Sequence, residues 1–212
     1  MIRRFFGPTT LSALLLLTAC GDTQNETPLQ LGLSQLQNIG KPAHQTLTAA
    51  QIRSRLTPDL LATLPDAVIV ATLTKRKVSS VLLGAGRNGD TVTYLTPDGI
   101  SMALREGMLV GTRGLGFDLM NADVEEPLAA LAGGADTGVV RLHRYLDGEN
   151  ATELRSFVCD YARNGATINE TCHTPGITIN NSYEMTRQGQ IAASRQWIGP
   201  EVGYVEIQQV RR

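Results

Sequence analysis

Short runs of apolar and polar residues alternate from residue 67 to the end of the chain, and Gly, Asn, Asp and Pro separate the runs. Runs rich in Val, Ile, Thr and Tyr with such boundaries are typical of β-strands joined by hairpins. The pattern predicts strands over residues 67–73, 78–85, 91–95, 100–105, 108–112, 138–146, 153–160, 177–186, 190–198 and 203–210. Many short strands with short turns favour a mainly β fold, an antiparallel barrel-like or sandwich domain.

Helical spacing occurs in two places. Thr48 is a suitable N-cap, and Ile52, Leu56 and Leu60 follow it at helical spacing until Pro58 and Pro65 break the pattern. Residues 124–132 predict one small inserted helix between the two groups of strands. The domain is therefore expected to carry a short N-terminal helix and a second helix within the β region.

Residues 84–89, with the sequence GAGRNG, match the glycine pattern of dinucleotide-binding proteins and follow a predicted strand. That pattern binds a pyrophosphate where a helix N-terminus follows it. Here the β-branched segment 91–95 follows instead. A glycine-rich hairpin is the favoured interpretation, and nucleotide binding is the alternative.

The N-terminus has the pattern of a bacterial lipoprotein signal. Arg3 and Arg4 precede an apolar run at residues 11–17, and small residues lead to Cys20 and Gly21. The pattern predicts a signal peptide over residues 1–19 and lipid attachment to Cys20; a buried cysteine near an ordinary signal-peptide cut is the alternative. Since Gly21 takes the place of the Asp that usually marks inner-membrane retention, we expect a lipid anchor on the periplasmic face of the outer membrane.

Composition limits what the rest of the chain can do. Residues 20–45 are polar and aperiodic, which predicts a flexible tether, and residues 46–212 are long enough for a single β-rich periplasmic domain. The formal net charge is −1 and no basic stripe occurs, which argues against nucleic-acid partners. No later apolar run approaches the roughly 20 residues of a membrane span.

Cys159 and Cys172 remain once Cys20 is assigned to lipid. In an oxidising compartment an even pair predicts a disulfide, which would close a hairpin around residues 163–165. A zinc site that uses the adjacent His173 is the alternative, although no fourth ligand is evident.

Catalytic motifs are sparse. The three histidines are scattered, and neither G-x-S-x-G nor H-E-x-x-H occurs. Paired carboxylates are the mechanism that remains open. Asp118 follows a glycine-rich stretch and is the most interesting of the acids, although a structural ion pair with Arg113 is favoured over catalysis. We predict no catalytic residue, no metal and no cofactor.

Five segments carry a resemblance to a known family: LGAGRNG at 83–89, TPDG at 96–99, GTRGLGFDL at 111–119, SRQWIGP at 194–200 and GY at 203–204. They resemble the YjbF/GfcB lipoproteins, which are associated with group 4 capsule and exopolysaccharide operons. The resemblance extends over roughly residues 51–210. It implies a β-rich, barrel-like fold and an outer-membrane lipoprotein that assists polysaccharide secretion without an enzymatic role.

Two of these segments contain residues suited to sugar recognition. Trp197 is the only tryptophan, and aromatic rings beside arginine can bind pyranose faces and hydroxyl groups. Packing of Trp197 in the barrel core or in a turn is favoured over glycan contact. The candidate surface comprises Arg113, Asp118, Arg195 and Trp197.

The leading interpretation is a non-catalytic accessory that binds polysaccharide or export-machinery proteins through this surface. A carboxylate-dependent glycan-modifying enzyme that uses the same surface is the alternative.

Overall fold

The computed structural model describes residues 47–134, 136–146 and 152–211. The predicted signal peptide, Cys20 and the whole predicted tether lie outside the described residues. The described helices are α1 (Ala49–Arg55), α2 (Pro58–Thr63) and α3 (Glu125–Gly133). The strands are β1 (Val68–Leu73), β2 (Val78–Asn88), β3 (Thr91–Leu95), β4 (Ser101–Arg105), β5 (Met108–Arg113), β6 (Leu119–Asp123), β7 (Asp136–Leu146), β8 (Thr152–Asn164), β9 (Thr167–Thr174), β10 (Ile177–Met185), β11 (Ile191–Gly199) and β12 (Gly203–Arg211).

The strands form one 12-stranded sheet in the order β5-β4-β3-β2-β1-β12-β11-β10-β9-β8-β7-β6. Consecutive strands pair antiparallel, except β5 and β6, and β1 also pairs with β12. The sheet curls into a nearly closed barrel, so that β5 and β6, the two ends of the order, approach each other along a seam. The predicted antiparallel barrel-like fold is confirmed.

Alternating positions of the strands separate an inner from an outer layer. On β1, Ile69 and Ala71 belong to the large core inside the barrel. Val68 and Val70 belong instead to a smaller cluster that includes Ile52 of α1. The N-terminal helices therefore cover the outer face of β1 and β2. No described helix has the length and apolar character needed to span a bilayer.

Pro58 ends α1 as predicted and also begins a further helix. The structure places it at the first turn of α2, where a proline is favoured because its missing N–H would have no helical partner. Thr57 caps this helix by accepting a hydrogen bond from the Leu60 amide at 3.3 Å. The proline that interrupts the pattern thus starts the next element.

Two strands, β6 and β9, escape the prediction from sequence. β9 has the sequence TINETCHT, and its inward positions are Ile168, Glu170 and Cys172. A buried glutamate in the middle of the strand breaks the apolar alternation by which strands are recognised. β6 is short and follows a glycine-rich loop, so its sequence shows no clear alternation of apolar and polar residues.

The glycine-rich segment at 84–89 is a hairpin, as predicted. β2 runs through Asn88, and the chain turns at Gly89 into β3 rather than into a helix. Gly89 has φ 56°, a conformation that favours glycine. Gly84 lies where a Cβ atom would be 2.7 Å from the Cβ of Ala67, so here the absence of a side chain allows close packing.

Candidate functional site

A buried ion pair lies inside the barrel. Arg141 of β7 places Nη1 3.1 and 3.0 Å from the two carboxylate oxygens of Glu170 on β9, and both side chains are fully buried. Glu170 accepts further hydrogen bonds from the hydroxyl groups of Tyr161 and Tyr183 and from the side-chain amide of Asn181. The carboxylate is therefore surrounded by donors from three other strands, β7, β8 and β10.

These contacts decide the charge state of the pair. Burial alone would raise the pKa of Glu170, but the Arg141 guanidinium and the three hydrogen bonds outweigh it and lower the pKa. Burial would likewise lower the pKa of Arg141, and the Glu170 carboxylate reverses that effect. Both groups are therefore ionised in the folded protein.

His143 continues the network along β7. Arg141 Nε donates to His143 Nε2 at 2.8 Å, and His143 Nδ1 lies 2.8 Å from the Tyr145 hydroxyl. Burial, together with the charge of Arg141, holds the pKa of His143 well below its usual value. Since Nε2 accepts a hydrogen bond from arginine, we assign the proton of the neutral ring to Nδ1, which donates to Tyr145.

Trp197 joins the network through its backbone. Its N–H donates to the side-chain oxygen of Asn181 at 2.8 Å. Asn181 in turn donates to Glu170. The predicted surface residue Trp197 is thus half-buried and tied to the interior polar network.

The disulfide lies beside this network. Cys159 of β8 and Cys172 of β9 are cross-strand partners and are bonded to each other, which confirms the predicted pair. Their sulfur atoms and a carboxylate oxygen of Glu170 lie within 4.8 Å of one another. The zinc alternative required His173, which lies on the exposed face with Nδ1 3.0 Å from the Thr178 hydroxyl.

The network as a whole is built to hold strands rather than to react with a substrate. Its carboxylate has a full set of donors, its histidine is neutral and its members are enclosed by the core. Among the described residues, the atom of this network that lacks a hydrogen-bond partner is Arg141 Nη2. Sequence reasoning missed the network, although Arg141 and His143 at alternating positions of a predicted strand were a usable signal.

The outer face of the barrel carries an aromatic cluster, which we define as Arg195, Trp197 and Tyr204. The guanidinium carbon of Arg195 lies 3.4 Å from the centre of the Tyr204 ring, and the Trp197 ring meets Tyr204 edge-on at 5.0 Å. Arg195 Nη1 donates to the carbonyl of Asn180 at 2.9 Å. Two of the four predicted surface residues therefore lie together, joined by a tyrosine from the adjacent strand.

Asp118 holds the loop between β5 and β6. Its carboxylate accepts hydrogen bonds from the Thr112 hydroxyl at 2.8 Å, the Gly114 amide at 2.9 Å and the Leu115 amide at 3.2 Å. The favoured ion pair with Arg113 does not form among the described residues, because backbone and hydroxyl donors occupy the carboxylate. Asp118 is engaged in loop closure, with no second carboxylate in hydrogen-bond contact among the residues described.

Arg113 links β5 to β6 at the seam of the barrel. Its guanidinium donates to the carbonyls of Leu119 and Met120, at 3.2 and 3.3 Å. The loop approaches β11 through Phe117, whose ring lies 3.1 Å from the position of a Cβ atom on Gly199. The two predicted segments therefore meet at one end of the barrel.

A cleft of about 360 Å³ opens at the opposite end, beneath α3. Its apolar part includes Val92, Tyr94, Leu104, Leu128 and Ile191. Its polar part comprises Arg87, Asp90, Glu106, Gln190 and Gln209. The sequence offered no sign of this cleft, because its residues come from turns and strand ends that are far apart in the chain.

Comparison with known proteins gives one family. The model of a family described as "Group 4 capsule polysaccharide lipoprotein gfcB, YjbF" matches residues 42–210. No curated protein matches the chain. Among solved structures, the crystal structure of the hypothetical lipoprotein YmcC from Escherichia coli (K12) is similar, with a TM-score of 0.62 and 15% identity over 80% of this chain and 98% of that chain. At this identity the similarity shows the fold.

Proposed function

Because the chain belongs to the YjbF family of group 4 capsule polysaccharide lipoproteins, we propose that it is a non-catalytic accessory in capsule or exopolysaccharide secretion or assembly, anchored on the periplasmic face of the outer membrane. The observation that carries the proposal is the family match over residues 42–210. The buried network supports it, because Arg141 and Glu170 pair with each other and Tyr161 also donates to the Glu170 carboxylate, so these interior ionised groups serve the structure.

Cys20 is the proposed point of attachment. A thioether-linked diacylglycerol with a further acyl chain would hold the domain on a bilayer, since each buried methylene contributes about 0.8 kcal/mol. Replacing Cys20 by Ser removes the acceptor thiol, and we expect the variant to move from the outer-membrane to the soluble periplasmic fraction. Sedimentation of the variant with outer membranes would contradict the lipid as the sole anchor.

The proposed glycan contact is the cluster of Arg195, Trp197 and Tyr204. Arg195 is already oriented by stacking on Tyr204 and by its bond to Asn180, so little side-chain entropy remains to be lost on binding. Exposed hydroxyl and amide groups lie on the neighbouring strands, for example Thr171 and Asn180, which hydrogen-bond at 3.2 Å. Arg113 and Asp118 support this end of the barrel by holding the loop that packs near Gly199.

Size-exclusion chromatography of the host's purified exopolysaccharide, with and without the domain lacking its lipid, tests the proposal. We expect the polymer to keep its length and the domain to co-elute with it. The variant Arg195→Ala should reduce co-elution, whereas Arg144→Ala, which removes an exposed arginine from β7, should not.

Two results would overturn the proposal in different ways. A shorter polymer would make the protein an enzyme. Equal co-elution of the Arg195→Ala and Arg144→Ala variants would show that the aromatic cluster does not contact the glycan. The accessory role would then rest on binding to export proteins.

A further inference from the structure

The cleft beneath α3 lies at the mouth of the barrel, a common position for ligand sites in β-barrels. The turns β2–β3, β4–β5 and β10–β11 form its rim, and α3 forms one wall through Leu128 and Leu131. Its volume of about 360 Å³ is within the usual range of small-molecule sites, about 300–1,000 Å³.

One rim residue has an unfavourable backbone conformation. β4 and β5 are joined by Glu106 and Gly107, with φ 51° and 94°. Two consecutive positive φ values describe a hairpin turn in which the first position favours Asn, Asp or Gly. A glutamate in this conformation is strained, and strain of this kind clusters at binding and catalytic sites.

The turn is held firmly in this conformation. The buried side chain of Gln196 donates to the Gly107 carbonyl at 3.0 Å and accepts from the Leu109 amide at 2.8 Å. A Cβ atom on Gly107 would lie 3.0 Å from the Cβ of Ile191, so only glycine fits the second position. The surrounding structure thus presents Glu106 in the lining of the cleft.

The charged groups of the cleft lining are mainly acidic. Asp90 and Glu106 supply two carboxylates and Arg87 a single guanidinium, so the lining has an excess of negative charge. Gln209 also lines the cleft, and its side-chain oxygen is buried with no hydrogen-bond partner among the described residues. A ligand that supplies several donors and no negative charge would complement this lining.

We propose that the cleft binds a single sugar residue without acidic groups, such as a neutral or amino sugar, at an end or branch of the polysaccharide. Hydroxyl or ammonium groups would donate to Glu106, Asp90 and Gln209, and the apolar C–H face would lie against Val92, Leu104 and Ile191. This inference rests on the proposed function, because it takes its ligand class from the polysaccharide association of the family.

The variant Glu106→Asn tests both the strain and the site. Asparagine adopts positive φ more readily, so the melting temperature should rise by about 2–4 °C, while affinity for the sugar should fall at least tenfold. Lys77→Asn is a matched control, since Lys77 also has a positive φ, 53°, in a turn at the opposite end of the barrel. It should stabilise the protein without changing affinity.

Binding is measured by NMR titration with short oligosaccharides obtained by partial acid hydrolysis of the host's exopolysaccharide. We expect chemical-shift changes at the backbone amides of Gly107, Gly189 and Ile191. These changes should be smaller in the Glu106→Asn and Asp90→Asn variants. Unchanged affinity in both variants, or shifts confined to Arg195, Trp197 and Tyr204, would overturn the cleft as the site. In the second case intact polymer would still co-elute with the domain, so the proposed function would stand while this inference fails.

Discussion

Arg141 and Glu170 form an ion pair of 3.0 Å in which neither side chain is exposed to solvent. Burying two charges has a large desolvation cost, which is offset only when geometry is good and the remaining polar atoms are satisfied. Here the Glu170 carboxylate also accepts hydrogen bonds from the side chains of Tyr161, Tyr183 and Asn181. The pair therefore ties β7, β8, β9 and β10 together at one level of the barrel.

Glu170→Gln should destabilise the protein by about 3–5 kcal/mol, because it leaves Arg141 as an uncompensated buried charge. Unfolding in urea measures the change. Glu153→Gln is the matched control: it breaks the partly exposed pair of Glu153 with Arg155, where about 1 kcal/mol or less is expected. Similar losses in the two variants would show that the buried charge has little energetic weight.

His143 should make the stability depend on pH. Burial holds its folded-state pKa below the unfolded value of about 6.5, so the unfolded chain binds the proton more readily. The contribution of the neutral histidine to the free energy of unfolding is fully present above about pH 6.5. It decreases as the pH falls, by at most about 1.4 kcal/mol per pH unit.

The free energy of unfolding measured from pH 8 to pH 5 should fall in the wild type and stay nearly level in His143→Gln. His173→Gln, which removes an exposed imidazole, should retain the wild-type slope. Glu170 adds a further loss at lower pH, because its lowered pKa means that folded-state stability is lost as the carboxylate is protonated. A wild-type curve that is flat between pH 8 and pH 5 would contradict the buried neutral histidine.

Removal of the disulfide should destabilise the domain by about 2–3 kcal/mol, since the bond restricts the unfolded chain over a short loop. The double variant Cys159→Ala/Cys172→Ala deletes both thiols at a sequence separation of 13. Urea unfolding compares it with the oxidised wild type. The two proteins should become equal once the wild type is unfolded and measured in reductant, and a persistent difference would assign the effect to packing of the sulfur atoms.

Asp118→Asn should weaken the loop between β5 and β6 and lower stability by about 1–2 kcal/mol, because three charge-assisted hydrogen bonds become neutral. Asp98→Asn, in the exposed β3–β4 turn, provides the comparison and should change little. Polymer length in the presence of the Asp118→Asn protein should equal that with wild type. If the wild type shortened the polymer and the Asp118→Asn protein did not, Asp118 would instead be identified as an acid or base.

The fold was predictable wherever local patterns and turn chemistry agreed. The hairpin at residues 84–95 follows from glycine at a position of positive φ and from the β-branched segment after it. β9 was hidden because Glu170 occupies an inward position and is stabilised by partners from three other strands. Such long-range pairing leaves no period in the local sequence.

The candidate site was predictable only in part for a similar reason. Arg195 and Trp197 stand out because they alternate on one predicted strand in an aromatic-poor chain, and the structure adds Tyr204 beside them. Glu106 gave no signal, since a glutamate in a turn resembles any solvated acid. Its significance appears only when its φ and the cleft are known together.

The seam between β5 and β6 has a consequence for association with other chains. The two strands end the sheet order, and unpaired strand edges can recruit a strand from a neighbouring molecule and seed aggregation. Here Thr112 accepts the Leu119 amide at 3.0 Å, and Arg113 donates to the carbonyls of Leu119 and Met120. Side chains of β5 thus hydrogen-bond to backbone groups of β6 that a strand from another molecule would need. The nearly closed barrel is therefore protected at the seam, where β5 and β6 do not pair.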